Sequence, residues 1–281
     1  MSQTTTPDSA ADAPVDAPYR SWWQRPKFVL GLLGVAALLY VLYHLGTRRM
    51  RFTGTDVRGD PTMNFDPAFA WSLVPDMLNA LTVTALGTVL GFSVAIVLGL
   101  FLALGRRSKR RLLSWPFAGF IEFVRSTPLL VQLFFLYYAL PDLNVVLSPL
   151  QTLTIGLGVH YATYCSEAYR AGINSVDKGQ WEAATALNLG TGTTWAKVVM
   201  PQAIPNVLPA LGNFLVAAFK DAPLGSAVQV TGVLFFATTT AGRTFRSVEP
   251  FLLIGAGFLM VSLPAAWLVR RLETKIGYER I

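Results

Sequence analysis

The sequence predicts an all-α, polytopic membrane protein, and two features of its composition point to that fold class. Hydrophobic residues make up 53% of the 281 residues and charged residues only 14%, against about 25% charged residues in soluble domains. The charges also lie between uncharged segments as long as a membrane-spanning helix, which needs roughly 20 residues. Backbone polar groups must be satisfied internally in lipid, so we expect helices rather than open sheets. The uncharged segments are 28–47, 77–105, 143–166, 198–219, 222–242 and 250–269.

The N-terminal part differs in composition from the rest. Residues 1–26 are polar and acidic at first and predict a disordered cytoplasmic tail. An extra transmembrane helix is expected over 27–47 and an extracytoplasmic loop over 48–76. A secretory signal peptide is the competing interpretation, but the acidic tail and the lack of a small-x-small cleavage site argue against it. Residues 77–275 are predicted to form a five-helix core. Its expected spans are about 77–105, 114–140, 150–169, 206–228 and 250–269.

The distribution of basic residues predicts the topology. Residues 105–111 hold five Lys or Arg in seven positions, and such clusters remain in the cytoplasm. With both termini inside, the inner segments contain 15 of the 23 Lys and Arg. The net charge of +7 is thereby explained by topology, so no nucleic-acid partner is expected. A lipid-binding or nucleic-acid-binding patch remains the alternative for the 105–111 loop.

A polar stretch at about 177–190 stands out between the apolar segments. Glu182 lies where a carboxylate suits the positive end of a short helix. Trp181, Ala184 and Leu187 are spaced by three and share one face. The small side chains of Ala183, Ala184 and Ala186 would let another protein approach closely. Pro201 and Pro205 would end the region and start the next span. The residues alone leave two interpretations equally open: a docking helix for an ATP-hydrolysing partner, or an amphipathic helix on the membrane surface.

The same stretch carries a resemblance to a known family. Glu182-Ala183-Ala184, followed at the same spacing by Val198-x-Met200-Pro201, resembles the cytoplasmic signature of ABC-importer permeases. Asn188 stands where the family usually has Gly, and Gly190 follows two residues later. Asn tolerates the left-handed region better than most residues, so we expect the sharp bend to persist.

Further motifs extend the resemblance over about residues 66–275. The segments 122–132, 166–180 and 220–224 are similar to those of the polar amino acid branch of these permeases. Within that branch, the segments 160–164 and 244–250 look most like ectoine and hydroxyectoine permeases.

The resemblance implies an inner-membrane permease subunit of a type I ABC importer, multi-pass in a bacterial plasma membrane. The implied partners are a cytoplasmic ABC ATPase dimer, a second identical or homologous permease and an extracytoplasmic solute-binding protein. No cofactor is expected in this chain, because ATP and Mg bind the ATPase; no Gly-x-x-x-x-Gly-Lys-[Ser/Thr] phosphate loop occurs in it. The implied ATPase-coupling residues are Gly179, Gln180, Trp181, Glu182, Ala183, Ala184, Leu187, Asn188, Gly190 and Pro201.

Polar and charged residues within the spans are candidates for the solute pathway, because such groups are costly in lipid and usually face a cavity or the protein interior. A zwitterionic solute needs a cation for its carboxylate, which Arg125 or Lys220 could supply. It needs an anion for its amine, for which Glu122, Glu167 or Asp221 are suitable. The candidates are Glu122, Arg125, Gln132, Glu167, Lys220 and Asp221.

Structural roles remain open for the same residues. Glu167 could pair with Arg170, and Lys220 with Asp221 across a broken helix. Helix breaks at membrane depth are tolerated where backbone lines a cavity, although they also occur as simple kinks. The breaking residues are Pro128, Pro223 and Gly225.

Two other classes of protein are considered. A membrane enzyme would need a catalytic or metal constellation, yet there is no His-Glu-x-x-His and the histidines are His44 and His160. Cys165, the single cysteine, is five residues from His160 and is not aligned with it on a helix. No catalytic or metal site is therefore predicted. A secondary transporter or channel-like protein without an ATPase would explain the buried charges but leave the signature around Glu182 without a role.

Overall fold

A computed structural model describes residues 65–108 and 110–278, and this part of the chain is helical with short connections and no strand. The predicted all-α fold class is confirmed. The tail predicted over 1–26 and the extra helix over 27–47 lie outside the described residues, as does the predicted loop up to residue 64.

The predicted 48–76 loop is helical where it is described. Helix α1, Pro67–Ser72, is capped by Asp66, whose Oδ1 accepts the backbone N–H groups of Ala68 and Phe69 at 3.0 and 3.2 Å. Helix α2, Val74–Arg106, follows after a single residue, Leu73. Helix α2 therefore begins three residues before the predicted span. The physical reason is that Pro at the first turn fits a helix start, because its missing N–H has no partner there.

Helix α2 packs against α5, Pro149–Asn174, which begins at a capping box formed by Ser148 and Gln151. The two backbones approach closely at glycines. A Cβ on Gly91 would lie 2.8 Å from the Leu157 Cβ, and one on Gly99 would lie 2.8 Å from the Ala162 carbonyl oxygen. Small residues permit such contacts in membrane helices. The core therefore centres on a tightly joined α2–α5 pair.

The predicted 114–140 span is broken at Pro128. Helix α3, Arg111–Arg125, and α4, Leu129–Phe134, belong to a bent pair with an angle of 103°. The Gln132 side-chain amide bridges the break by donating to the Val124 carbonyl at 2.8 Å and the Thr127 hydroxyl at 2.9 Å. A π turn, Phe135–Ala139, and a 3₁₀ turn, Leu140–Leu143, continue α4.

After α5 comes the short helix α6, Lys178–Ala186. A longer helical segment then begins with α7, Thr191–Thr194, and passes through a π turn at Trp195–Val199. It continues as α8, Met200–Asp221, and ends in a 3₁₀ turn, Ala222–Val228. The predicted break near Pro223 is confirmed by this change of helix type.

Pro201 stands where the polar region was predicted to end and the next span to begin, and α8 does begin there. It lies in the first turn of α8, within a helical segment that starts ten residues earlier at Thr191. A proline removes one backbone donor, and the wider π turn before it relieves the clash of its ring with the preceding turn.

Helices α9, Val233–Thr244, and α10, Val248–Tyr278, complete the described fold. Val233 and Ala237 of α9 are buried against Met77 and Ile254, so the mildly polar 229–248 segment is packed into the fold.

The outer end of the fold is joined by polar contacts to Asp66. Arg246 forms an ion pair with the Asp66 carboxylate at 3.2 Å, and buried Glu249 accepts the Asp66 backbone N–H at 2.9 Å. The Phe69 N–H and the Arg246 guanidinium hold the pKa of the Asp66 carboxyl below its usual value.

Length and composition identify three helical segments of the described chain that could cross a membrane. They are Val74–Arg106, Thr191–Val228 and Val248–Arg271, with the bent α3–α4 pair as a possible fourth. Helix α5, with 26 residues, is about 39 Å long and exceeds the roughly 30 Å hydrocarbon core. Its polar side chains face its neighbours: Thr152, His160, Thr163 and Ser166 are buried.

Candidate functional site

The two ends of α6 are fixed by local hydrogen bonds. At its start, Asp177 Oδ1 accepts the Gly179 N–H at 2.7 Å. At its end, Asn188 adopts a left-handed conformation with φ of 49°. The Asn188 N–H donates to the Thr185 carbonyl at 2.9 Å, and the Leu189 N–H donates to the Ala184 carbonyl at 3.0 Å. These two bonds define a Schellman motif, so the bend predicted for Asn188 is confirmed.

One face of α6 packs on the rest of the chain. Ala184 is buried, and the Trp181 ring meets Trp195 edge-on at a centroid distance of 5.6 Å. Both rings adjoin a cluster of buried apolar side chains, Ile173, Val176, Val199 and Ala203. Helix α6 is thereby attached to the inner ends of α5 and α8.

Arg107 links this face to the predicted cytoplasmic basic loop. Its guanidinium carbon lies 5.6 Å from the ring centroids of both Trp181 and Trp195. Its Nη1 donates to Asn174 Oδ1 at 3.2 Å. The 105–111 loop and α6 therefore lie at the same end of the helices, as the predicted topology requires.

The opposite face of α6 is open to solvent. The exposed members of the predicted coupling set in and beside α6 are Gly179, Gln180, Glu182, Ala183, Leu187, Asn188 and Gly190, and Pro201 of α8 is exposed as well. Ala184 was expected to let a partner approach the helix closely. The structure corrects this expectation, because Ala184 faces the chain's own core. Leu187 is 72% exposed and does not join Trp181 and Ala184 in the packed face. The helix ends at Ala186, so Leu187 follows the turn and not the helical spacing.

A second cluster lies at the inner ends of α2, α3 and α5. The Glu167 carboxylate forms ion pairs with Arg106 and with Arg170, the latter at 2.6 Å, and lies 3.9 Å from Arg125. The pairing with Arg170 is the structural alternative considered for Glu167. Three guanidiniums surround one carboxylate, which leaves a local surplus of positive charge.

Arg125 also begins a row of aromatic side chains that ends at Asp221. Its guanidinium carbon lies 5.3 Å from the Tyr164 ring centroid, and the Tyr164 ring lies 5.8 Å from that of Tyr161. The Tyr161 hydroxyl donates to Asp221 Oδ2 at 2.6 Å. Phe214 of α8 contacts Tyr164 at 5.8 Å between centroids. This row crosses the interface between α5 and α8.

Three predicted pathway residues lie outside both this row and the Glu167 cluster. Glu122 and Lys220 are exposed, and no ion pair or hydrogen bond among the described residues involves either side chain. Asp221 bonds Tyr161, so the considered pairing of Lys220 with Asp221 is not formed. Gln132 bridges the α3–α4 break, although its buried Oε1 has no hydrogen-bond partner among the described residues.

Tyr161 and Tyr164 were missed as pathway candidates. They carry no charge and lie in an apolar segment, so a search for charges within spans passes over them. Their spacing of three places them on one face of a helix, and their position before Glu167 was the available signal. Arg106 and Arg107 were assigned to topology alone, since their contacts come from distant parts of the chain.

Taken together, the helical membrane architecture and the short exposed inner helix define a subunit of a membrane transport system. The profile of the binding-protein-dependent transport system inner membrane component matches residues 95–278. The chain belongs to this family, the permeases of ABC importers, and is a multi-pass protein of the bacterial plasma membrane.

Characterised relatives and solved structures agree with this assignment. A probable amino-acid ABC transporter permease protein, y4tG of Sinorhizobium fredii, is 42% identical over 76% of this chain and 93% of its own. The L-cystine transport system permease protein TcyB of Bacillus subtilis is 34% identical over 67% of this chain and 82% of its own. A crystal structure of an amino acid ABC transporter with histidines has a TM-score of 0.72 and 30% identity, over 76% of this chain and 100% of that chain. The inward-facing MetNI methionine ABC transporter shares the fold, with a TM-score of 0.56 and 18% identity over 74% of this chain and 99% of that chain.

Proposed function

We propose that this chain forms the membrane pathway of an ATP-driven importer for amino acids or related zwitterions. The observation that carries the proposal is the two-sided character of α6. One face is held by Ala184, Trp181 and the Schellman turn, while the other presents Glu182 and Ala183 to solvent. The small side chain of Ala183 beside Glu182 leaves this outer face accessible to the close approach of another protein.

The anchoring of α6 gives it a means of transmitting motion. Through Trp181 its inner face adjoins a cluster that includes Ile173 of α5, Val199 of the π turn and Ala203 of α8. Displacement of α6 by a partner would therefore act on both helices that contribute to the Tyr161–Asp221 row. If transport is driven by ATP, another chain must hydrolyse it, because this sequence has no phosphate loop.

The proposed assembly contains two ATPase subunits, a second permease and an extracytoplasmic solute-binding protein. The support is family membership together with the names of the relatives, which are described as ABC transporter permease proteins. A stand-alone secondary transporter is the other candidate, since the partly exposed ion pairs around Glu167 fit it equally well. It leaves the exposed face of α6 without a partner.

For the solute we propose that Arg125 and Asp221 bind opposite charges. The Arg125 guanidinium has no hydrogen bond to the described residues, so its five N–H donors are available to a carboxylate. The Asp221 carboxylate and the faces of Tyr161 and Tyr164 suit a cationic group. Glu167 positions Arg125 through its ion pair and does not need to touch the solute.

Ectoine or hydroxyectoine is the particular solute that we propose within this class. Its amidinium spreads positive charge over a planar group, which favours aromatic faces over a single carboxylate. The rings of His160, Tyr161, Tyr164 and Phe214 form a continuous aromatic cluster next to Asp221. The basis for choosing this solute is the resemblance of segments 160–164 and 244–250 to such permeases.

Co-purification with the ATPase tests the coupling role. Glu182→Lys should abolish stoichiometric ATPase binding, because it reverses the charge at the centre of the exposed face. Ala183→Trp should do the same by adding bulk outward, whereas a large residue at buried Ala184 would damage the fold and answer nothing. Glu273→Lys is the matched control, since it reverses an exposed charge on a different helix, α10.

The result that overturns the proposal is ATPase binding retained by both α6 variants. Solute uptake by the purified chain alone, in vesicles without an ATPase, would instead establish the secondary transporter. Competition of ectoine against amino acids in the assembled importer tests the solute separately. Inhibition by amino acids but not by ectoine would reject ectoine and leave the importer class intact.

A further inference from the structure

The basic turn, residues 106–111, contains arginines with two different environments. Arg106 and Arg107 are engaged, with Glu167 and with Asn174 and two tryptophan rings. Arg110 and Arg111 are exposed, and no ion pair of the described residues involves either guanidinium. These two charges are not needed to hold the fold. Orientation in the membrane requires a basic loop but not this particular placement.

Helix α3 continues directly from these arginines, and its outer side is apolar up to Phe120, with the exposed Glu122 near the far end. Ile121 and Val124 point into the fold and are buried. Leu112, Trp115 and Phe123 lie on the opposite side and are 89%, 73% and 67% exposed. The span from Leu112 to Phe123 covers 11 positions, or about 17 Å along the helix. Cationic and apolar groups therefore adjoin at one end of a helix that faces outward.

We propose that the Arg110–Trp115 corner is a binding site for an anionic phospholipid headgroup of the inner leaflet. The guanidiniums supply charge-assisted hydrogen bonds to a phosphate. The Trp115 indole lies at the level where aromatic side chains prefer the membrane interface. Leu112 and Phe123 contact the acyl chains. An amphipathic helix with basic residues beside an apolar face binds anionic lipid surfaces by the same combination.

Charge complementarity distinguishes lipid from the other possible occupants. The chain has no acidic residue between Asp76 and Glu122. A second copy of the chain placed against this corner in a symmetric arrangement would bring arginines next to arginines. Like charges repel, whereas the inner leaflet provides negative headgroups at the same depth.

Lipid quenching of tryptophan fluorescence tests the site in the full-length chain. The chain is reconstituted in nanodiscs of phosphatidylcholine and phosphatidylglycerol, with brominated acyl chains on one lipid at a time. The contribution of Trp115 is the difference between the chain and its Trp115→Phe variant. We expect stronger quenching of Trp115 by brominated phosphatidylglycerol than by brominated phosphatidylcholine.

Charge-matched variants identify the source of the preference. Arg110→Gln with Arg111→Gln should reduce the preference for phosphatidylglycerol roughly tenfold, since each basic side chain near an anionic surface contributes up to about fivefold. Arg270→Gln with Arg271→Gln removes the same charge from the inner end of α10 and should retain it. Equal thermal unfolding of the two double variants verifies that both are folded.

Three outcomes would overturn the proposal. Equal quenching by the two lipids would mean that the face is lipid-exposed without a headgroup site. Absence of quenching by either lipid would mean that protein covers the corner, either a second copy or another subunit. Loss of preference in both double variants would mean that net charge alone attracts the lipid.

Discussion

The turn that ends α6 depends on a single residue with positive φ, and replacing it gives a sharp test of the coupling geometry. Asn188 has φ of 49°, a region in which a residue with a Cβ is strained by about 1–2 kcal/mol. Asn is enriched there, while a β-branched residue is a true outlier. We expect Asn188→Val to pay this full strain and Asn188→Gly to avoid it.

We expect this strain to increase local opening of the turn at Asn188. A cost of about 1–2 kcal/mol corresponds to roughly 5- to 30-fold more opening of the Schellman turn. Its reporters are the Asn188 and Leu189 amides, which donate to Thr185 and Ala184 at 2.9 and 3.0 Å. Hydrogen–deuterium exchange of the peptide containing them should accelerate by that factor in Asn188→Val. The Asn188→Gly variant should exchange no faster than the parent by more than about twofold, given the small entropic cost of glycine.

The consequence for function follows from the position of the turn. Opening it releases the Ala184 end of α6 from the fold, so ATP hydrolysis should become less coupled to uptake in Asn188→Val. Equal exchange and equal coupling in the valine and glycine variants would refute the reasoning. Gly190 cannot substitute for the turn residue, because its φ of −64° and ψ of 149° place it in the extended region as the cap of α7.

Four further expectations concern single contacts. Arg107→Ala should loosen α6 and change the tryptophan emission, while Arg107→Lys restores part of it because both cations interact with aromatic rings. Glu167→Gln removes the carboxylate that three arginines share and should lower the free energy of unfolding by about 1–3 kcal/mol. Tyr161→Phe deletes the 2.6 Å bond to Asp221 and should change solute KM by about three- to tenfold, with ATPase binding intact. The pKa of the Asp66 carboxyl is lowered in the folded state. Its contribution to stability is therefore full above the ordinary aspartate pKa and is lost as the pH falls through the lowered value. The difference in the free energy of unfolding between the parent and Asp66→Asn should therefore shrink as the pH is lowered. A difference that stays constant with pH would contradict the assignment.

The parts of the fold that were predictable depend on local chemistry. The apolar run of α2 was found to within three residues at its start, because hydropathy is summed over many positions. The break at Pro128 and the left-handed Asn188 were also predictable, since proline and asparagine restrict their own backbone. The basic turn indicated which end of the helices faces the cytoplasm without any knowledge of packing.

What could not be predicted depends on contacts between distant segments. The 103° bend of α3–α4 follows from where Gln132 reaches across the break, which the sequence does not specify. The inward direction of Ala184 was missed because small residues lie on both sides of α6. The Glu167 cluster needs the ends of α2 and α3 beside α5, and the tyrosine row carries no charge to draw attention to it.

The glycine contacts between α2 and α5 have a mechanical consequence. With Gly91 and Gly99 placed against Leu157 and Ala162, there is no side-chain layer in which the two helices could slide past each other. The α2–α5 pair is therefore expected to move as one rigid body. The conformational changes of alternating access have to come from the helices packed around this pair. Two places with irregular backbone could act as hinges. They are the break between α3 and α4 and the π turn that precedes α8. Opening and closing during a transport cycle should be sought there, by distance measurements from labels on these helices to labels on the α2–α5 pair.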